Sequence, residues 1–235
     1  MATALSALLL FLFALPSGSE SGILAARLES RYRSATTLQA TFLERYSENG
    51  TVLRTEAGTA YFRRPGKMRW EYDRPEKDLF LVDGKTAWFY VPSDHTVTRA
   101  PAKQSEDLRT PLALLAGRMK ISRICSHVEL AETEKPLREG DAVLRCDVRG
   151  QGKNAGTSAS PDAAFGNDAA DAVFFEVTRD NGELARIIVR QAGGVAVEFR
   201  FENWRFDPPI PESMFHFEPP PGVAIVNGEL PDAKS

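Results

Sequence analysis

Histidine and cysteine, which supply many catalytic and metal-binding groups, are scarce in this sequence. Of its 235 residues only three are histidine and two are cysteine, and it contains no H-E-x-x-H, C-x-x-C, G-x-S-x-G or glycine-rich phosphate-binding motif. His95, His127 and His216 are isolated from one another in the sequence, so we expect structural or solvent-facing roles for them. We therefore expect no catalytic residue, no metal and no cofactor. A hydrolase is the enzymatic alternative, because catalytic triads assemble in space rather than in sequence.

Clusters of positive charge are also missing. The formal net charge is −3, and binding to a nucleic-acid duplex needs clustered cations that neutralise several phosphates. We therefore expect no nucleic-acid partner. Charged residues make up 26% of the chain, and all of them follow Ser19.

The uncharged N-terminal segment contains one apolar run. Ala7–Leu15 is nine residues long, too short to span a bilayer core, which takes about 20 helical residues, and the small residues 17–19 follow it. This pattern predicts a secretory signal peptide over 1–19 and a single domain over 20–235. No cysteine follows the run, so no lipid can be attached there, and no second long hydrophobic segment occurs. We expect the mature protein to be soluble.

The two cysteines, Cys125 and Cys146, predict a disulfide in an exported chain. It would close a loop of about 20 residues, which is worth roughly 3 kcal/mol in the entropic description. If the residues around the two cysteines form a hairpin, we expect Cys125 opposite Cys146 and Val128 opposite Val143. Two buried free thiols are the alternative.

Apolar side chains at helical spacing occur near the start of the predicted domain. Leu24, Leu28 and Tyr32 lie four residues apart, which predicts an amphipathic helix over 23–35. A second, strongly apolar helix is predicted from Pro111, with Thr110 as its cap, to about Lys120.

Most of the remaining sequence alternates between apolar and polar residues. In the clearest case Met68, Trp70 and Tyr72 share one face of a predicted strand and charged residues occupy the other. The turns Asp83-Gly84 and Asn181-Gly182 are typical of hairpins. The predicted strands cover 38–42, 58–63, 67–73, 79–82, 85–91, 96–99, 124–130, 142–148, 173–178, 184–191 and 195–206.

This pattern predicts a mainly β protein with a few α-helices. About 10–11 strands in one antiparallel sheet tend to curl, and a sheet wrapped around one or two helices forms a half-open barrel with an apolar interior. Residues 150–171 are rich in Gly, Ala, Ser, Asn and Asp and are predicted to form a flexible loop. Residues 228–235 are predicted to be a polar tail.

Five groups of residues, taken in order, carry a family resemblance through their spacing rather than through any single motif. They are Thr41-Phe42, Arg64-Pro65 with Met68 and Trp70, Val82–Lys85 with Trp88–Pro92, Thr110-Pro111, and Phe215–Val223. Together they resemble the periplasmic outer-membrane lipoprotein carrier family, LolA, over roughly 23–226. The resemblance implies an unclosed antiparallel β-barrel with a helical lid.

The resemblance also implies a function. Members of this family are soluble periplasmic chaperones that bind the acyl chains of lipoproteins and carry them from the inner to the outer membrane. The implied partners are acylated lipoproteins, an ABC-type lipoprotein-releasing complex in the inner membrane and a lipoprotein acceptor at the outer membrane, with a monomeric carrier. Acyl chains need an apolar container in water, because each exposed methylene costs about 0.8 kcal/mol. A carrier of another lipid or glycolipid and a lipid-sensing periplasmic regulator are the alternatives.

Residue roles follow from the same resemblance. Arg64 matches an arginine that hydrogen-bonds carbonyls of the lid helix in the closed form, here around 114–116, so Arg64 with Leu114 and Leu115 is predicted to be the lid latch. Its guanidinium offers five donors and keeps its charge. The alternative is an ordinary solvated arginine in a turn, as Arg63 beside it could be.

The predicted lipid-binding cavity is lined by Phe42, Met68, Trp70, Leu112 and Leu115. Plain core packing is the alternative for these side chains. Glu44 stands where the family often has glutamine, and we expect the Phe42 face of its strand to leave the cavity there, because a buried carboxylate needs a partner. The cysteine pair and the residues 150–171 also depart from the family pattern.

Overall fold

The computed structural model of the chain describes residues 19–102, 112, 114–117, 120–149 and 172–228. The predicted loop 150–171, all of the predicted signal peptide except Ser19, and all of the predicted tail except Gly228 lie outside the described residues. So do Thr110 and Pro111, the predicted start of the second helix.

Twelve β-strands form one curved sheet with the order β12-β6-β5-β4-β3-β2-β1-β11-β10-β9-β8-β7. The strands are β1 Thr37–Glu48, β2 Thr51–Arg63, β3 Lys67–Arg74, β4 Leu79–Val82, β5 Thr86–Val91, β6 Thr96–Pro101, β7 Cys125–Leu130, β8 Asp141–Val148, β9 Ala172–Thr178, β10 Leu184–Arg190, β11 Val195–Phe206 and β12 Ala224–Asn227. All neighbours are antiparallel except β12 and β6. The sheet is unclosed, with β7 and β12 at its edges, so the predicted half-open antiparallel barrel is confirmed.

The last strand was not predicted. β12 has four residues, follows a proline-rich stretch and pairs with β6 in parallel. Its four side chains are all exposed, so it lacks the buried alternation that identifies a strand in sequence.

Helix α1 spans Glu20–Arg33, three residues earlier at its start than predicted. Ser19 caps it by accepting a hydrogen bond from the Gly22 N–H at 3.2 Å. Leu24, Leu28 and Tyr32 are buried as predicted and join the hydrophobic cluster of the concave face. The Tyr32 hydroxyl accepts a hydrogen bond from the backbone N–H of Leu184 at 2.9 Å, which ties α1 to β10.

Cys125 and Cys146 form a disulfide with their Cα atoms 5.3 Å apart, but the predicted hairpin register is wrong. Val128 pairs with Cys146, and Cys125 pairs with Val148. The register of a hairpin depends on its connection. The pairing of Val128 with Cys146 centres this hairpin at residue 137, between one and two residues after the centre of the predicted pairing, with an irregularity after Cys125.

Two segments cover parts of the convex face. The strap, residues 208–223, crosses β3 to β6: Met214 O accepts a hydrogen bond from Arg69 at 3.1 Å, and the Phe217 ring lies 5.7 Å from the Trp88 ring. The cover loop, residues 131–140, lies over β8 to β10. Both segments therefore bury convex residues that an exposed sheet face would leave in water.

A buried ion pair fixes the cover loop. The Arg186 Nε lies 2.7 Å from the Glu176 Oε2, and these side chains are 6% and 0% exposed. The other carboxylate oxygen of Glu176 accepts a hydrogen bond from the Leu137 N–H at 2.6 Å, and Arg186 donates to Lys135 O at 2.7 Å. These contacts satisfy most of the polar groups that burial removes from water.

Candidate functional site

The five residues predicted to line a lipid-binding cavity lie together on or above the concave face. Every one of them is at most 8% exposed, and all belong to one hydrophobic cluster. Phe42 comes from β1, and Met68 and Trp70 come from β3. Leu112 and Leu115 come from the segment above the sheet.

Trp70 lies at the centre of this interior. Its ring centroid is 4.7 Å from that of Phe42, 5.7 Å from Phe62, 5.5 Å from Phe199 and 6.1 Å from Phe201, all in edge-to-face arrangements. The indole nitrogen is buried and has no hydrogen-bond partner within the described part of the chain.

Three of these aromatic neighbours, Phe62, Phe199 and Phe201, were missing from the predicted cavity. The alternation of 195–206 places Phe199 and Phe201 on one apolar face, but it does not show what that face touches. The contact depends on the pairing of Phe42 with Phe201, which joins strands far apart in sequence.

Glu44 remains on the concave face, so the expectation that this face leaves the interior at Glu44 is wrong. Leu38, Ala40, Phe42 and Tyr46 share this face and are buried like Glu44, which is 6% exposed. The carboxylate is accommodated because it accepts a hydrogen bond from the Tyr72 hydroxyl at 2.8 Å.

The lid segment, residues 112 and 114–117 as described, forms a short helical turn over the concave face. The Leu115 N–H donates to Leu112 O at 3.0 Å, and the Gly117 N–H donates to Leu114 O at 3.0 Å. The predicted continuation of this helix to Lys120 is wrong, because Gly117 has a positive φ of 76° and Lys120 is extended. A separate short helix, α2, follows at Ile121–Ile124.

Arg64 lies between the lid segment and the end of α1. Its Nη1 donates to Ala35 O at 2.9 Å, and among the described residues it donates to no lid carbonyl. Its side chain packs against Gly117, where a Cβ would lie 2.5 Å from the Arg64 Cδ. The turn that contains Arg64 is also hydrogen-bonded to the lid segment, because the Gly66 N–H donates to Ala116 O at 2.9 Å.

Burial sets the electrostatics of this arginine. It lowers the pKa of the Arg64 guanidinium, the nearby Asp207 carboxylate opposes that effect, and the positive charge of Arg33 adds to it. Arg63, by contrast, donates to Ile210 O at 3.0 Å and pairs with Glu212 of the strap. The two adjacent arginines therefore contact different parts of the molecule: Arg64 contacts the lid segment, and Arg63 contacts the strap.

The comparisons with known proteins decide the family. The family model described as "Outer membrane lipoprotein carrier protein LolA" matches residues 33–136. A Chromobacterium violaceum protein named outer-membrane lipoprotein carrier protein is 32% identical over 205 residues, which cover 87% of each chain. The chain belongs to the LolA family. A LolA relative of the same name from Nitrosomonas europaea is 30% identical over 200 residues, covering 85% of this chain and 86% of its own.

A solved structure shares the fold of this chain. An uncharacterized conserved protein from Thermus thermophilus superposes with a TM-score of 0.53 at 15% identity, over 89% of this chain and 100% of its own. The LolA family consists of carrier proteins and not of enzymes. Within the described residues no helix is long and apolar enough to cross a membrane.

Proposed function

We propose that this LolA-family chain is a soluble periplasmic chaperone that binds the acyl chains of lipoproteins in its concave interior and carries them from the inner to the outer membrane. The observation that carries the proposal is an apolar concave face covered by a separate, short lid segment. Such an arrangement provides the apolar container that an acylated anchor needs in water, since each exposed methylene costs about 0.8 kcal/mol. The relatives named outer-membrane lipoprotein carrier protein support it.

Loading requires the lid segment to move. Trp70 and its aromatic neighbours fill the interior in this closed arrangement, so acyl chains enter only when Leu112, Leu114 and Leu115 leave the concave face. Phe42, Met68 and Trp70 then contact the cargo. When the lid closes, these three side chains pack against their neighbours in the interior again, which favours release of the cargo to an acceptor.

The proposed setting is the periplasm. The predicted signal peptide over 1–19 would export the domain over 20–235, and the Cys125–Cys146 disulfide suits an oxidising compartment. The proposed partners are an ABC-type releasing complex in the inner membrane and an acceptor at the outer membrane, with the carrier acting as a monomer.

Mass spectrometry of the carrier purified from periplasm tests the proposal. We expect an acylated polypeptide to be extracted from the folded protein in substoichiometric to equimolar amount. Extraction of a glycolipid or another free lipid would instead favour a carrier of a different lipid. If no acylated molecule is bound and apolar fluorescent probes do not enter the fold, the proposal is wrong.

Arg64→Leu is expected to leave cargo bound but to slow its transfer to an acceptor. The variant removes the guanidinium that packs against Gly117 of the lid segment and is held there by its hydrogen bond to Ala35 O. Charged hydrogen bonds of this kind are worth about 1.5–3 kcal/mol, so we expect the lid equilibrium to shift by about tenfold. Transfer between purified donor carrier and acceptor gives the readout. Arg74→Leu is the matched control, because Arg74 also precedes a proline but is exposed. Equal transfer by both variants would show that Arg64 is not the lid latch.

A further inference from the structure

A pocket lies beside the lid segment, outside the aromatic cluster around Trp70. It has a volume of about 220 Å³ and opens between α1, the turn at Arg64, the lid segment and α2. Pockets for drug-sized ligands begin at about 300 Å³, so this one suits a headgroup or a small ion rather than an acyl chain. Its walls are formed by Glu29, Tyr32, Arg33, Arg64, Leu114, Gly117, Lys120 and Arg123.

The pocket carries an excess of positive charge. Four of its side chains are cations, and Glu29 is its only carboxylate among the described residues. Glu29 is already engaged, because its Oε2 lies 2.8 Å from Arg33 and its Oε1 accepts a hydrogen bond from the Ile121 N–H at 2.8 Å. Within the described chain the other three cations, Arg64, Lys120 and Arg123, form no ion pair.

Arg64 is a partly buried residue of the pocket wall. One guanidinium nitrogen, Nη1, is occupied by Ala35 O, whereas Nε is buried and lacks a hydrogen-bond partner in the part of the chain that the structure describes. Asp207, the carboxylate whose charge acts on Arg64, accepts a hydrogen bond from the Thr36 N–H at 2.6 Å. Nε is enclosed against Gly117, so the guanidinium nitrogen left for an external oxyanion is Nη2, which forms no hydrogen bond within the described residues.

We propose that this pocket binds a phosphate-class oxyanion, either free phosphate or the phosphodiester headgroup of an anionic phospholipid. Guanidinium groups match the geometry of phosphate oxygens, and lysine adds a mobile point charge. Because Leu114 and Gly117 belong to the lid segment, a bound anion contacts α1, the Arg64 turn and the lid together. By linkage it stabilises the closed lid. The site takes a different ligand from the proposed acyl-chain interior and does not depend on that function.

The test compares two double variants of the mature full chain. Lys120→Gln with Arg123→Gln removes two exposed cations of the pocket. Lys85→Gln with Arg205→Gln removes two exposed cations elsewhere and gives the same change in net charge. Calorimetric titration with inorganic phosphate at constant ionic strength is the first arm. Cosedimentation with phosphatidylcholine vesicles, with and without phosphatidylglycerol, is the second arm.

We expect the pocket variant to weaken binding about tenfold in at least one arm, equivalent to one or two charge-assisted hydrogen bonds, and the control variant to change it by less than about twofold. A loss confined to the titration identifies free phosphate, and a loss confined to the phosphatidylglycerol vesicles identifies a lipid headgroup. If the wild type binds neither probe, or if both variants lose binding equally, the proposal is overturned. Acylated cargo is also extracted from the same preparations. A variant that loses anion binding but still yields cargo shows that the two functions are separate.

Discussion

Trp70→Ala is expected to lower the free energy of unfolding by about 3–5 kcal/mol, because removal of a large buried aromatic side chain loses its transfer free energy and leaves a cavity. Trp70 is 1% exposed and makes edge-to-face contacts with Phe42, Phe62 and Phe199. Those rings come from three different strands, so the interior cannot collapse around the deletion without bending the sheet. Denaturant unfolding monitored by far-UV circular dichroism measures the loss.

Two further variants show whether the effect comes from the interior. Trp70→Phe keeps most of the ring and removes an indole N–H that has no acceptor within the described residues, so we expect it to cost less than about 1.5 kcal/mol. Trp88→Ala removes a half-buried ring on the convex face that contacts Phe217, and we expect a smaller loss than for Trp70→Ala. A loss below about 1 kcal/mol for Trp70→Ala would show that Trp70 is not packed in the interior.

Glu176→Gln is expected to destabilise the fold by about 3–5 kcal/mol, the usual consequence of removing one partner of a buried ion pair. Arg186 would stay buried beside a neutral amide, with Glu198 as its remaining carboxylate at 3.5 Å. The same change weakens the acceptor of the Leu137 N–H, so the cover loop loses an anchor on the convex face. The free energy of unfolding at neutral pH is the measurement.

Glu129→Gln provides the comparison for an exposed pair. Glu129 lies 3.9 Å from Arg145, and its side chain is 51% exposed, so we expect a change within about 1 kcal/mol. Glu176→Gln combined with Arg186→Met removes both charges and is expected to recover part of the lost stability. Equal effects of Glu176→Gln and Glu129→Gln would contradict the stabilising role of the buried pair.

Local patterns predicted the elements of this fold well. The four-residue spacing of Leu24, Leu28 and Tyr32 identified α1, and the alternation in β3 identified its buried face, because both patterns arise within one element. The predicted cavity residues Phe42, Met68 and Trp70 do lie together. Their contact with cargo remains a prediction.

Features that depend on distant segments were missed. The burial of Glu44 depends on the Tyr72 hydroxyl, which comes from another strand. The register of β7 and β8 depends on the cover loop, whose Leu137 N–H binds Glu176 of β9. The pattern of apolar and polar residues within β1 or β7 does not indicate these partners. The sequence alone therefore could not predict these contacts.

The unclosed edge of the sheet has a consequence for cargo capacity. In a closed barrel the number of strands and their stagger fix the diameter, so the enclosed volume is nearly constant. Here β7 and β12 end the sheet on either side, and within the described residues no ring of hydrogen bonds fixes its circumference. Small changes in strand twist can therefore widen or narrow the interior without breaking a strand pair, so we expect one chain to accommodate lipid anchors that differ in girth.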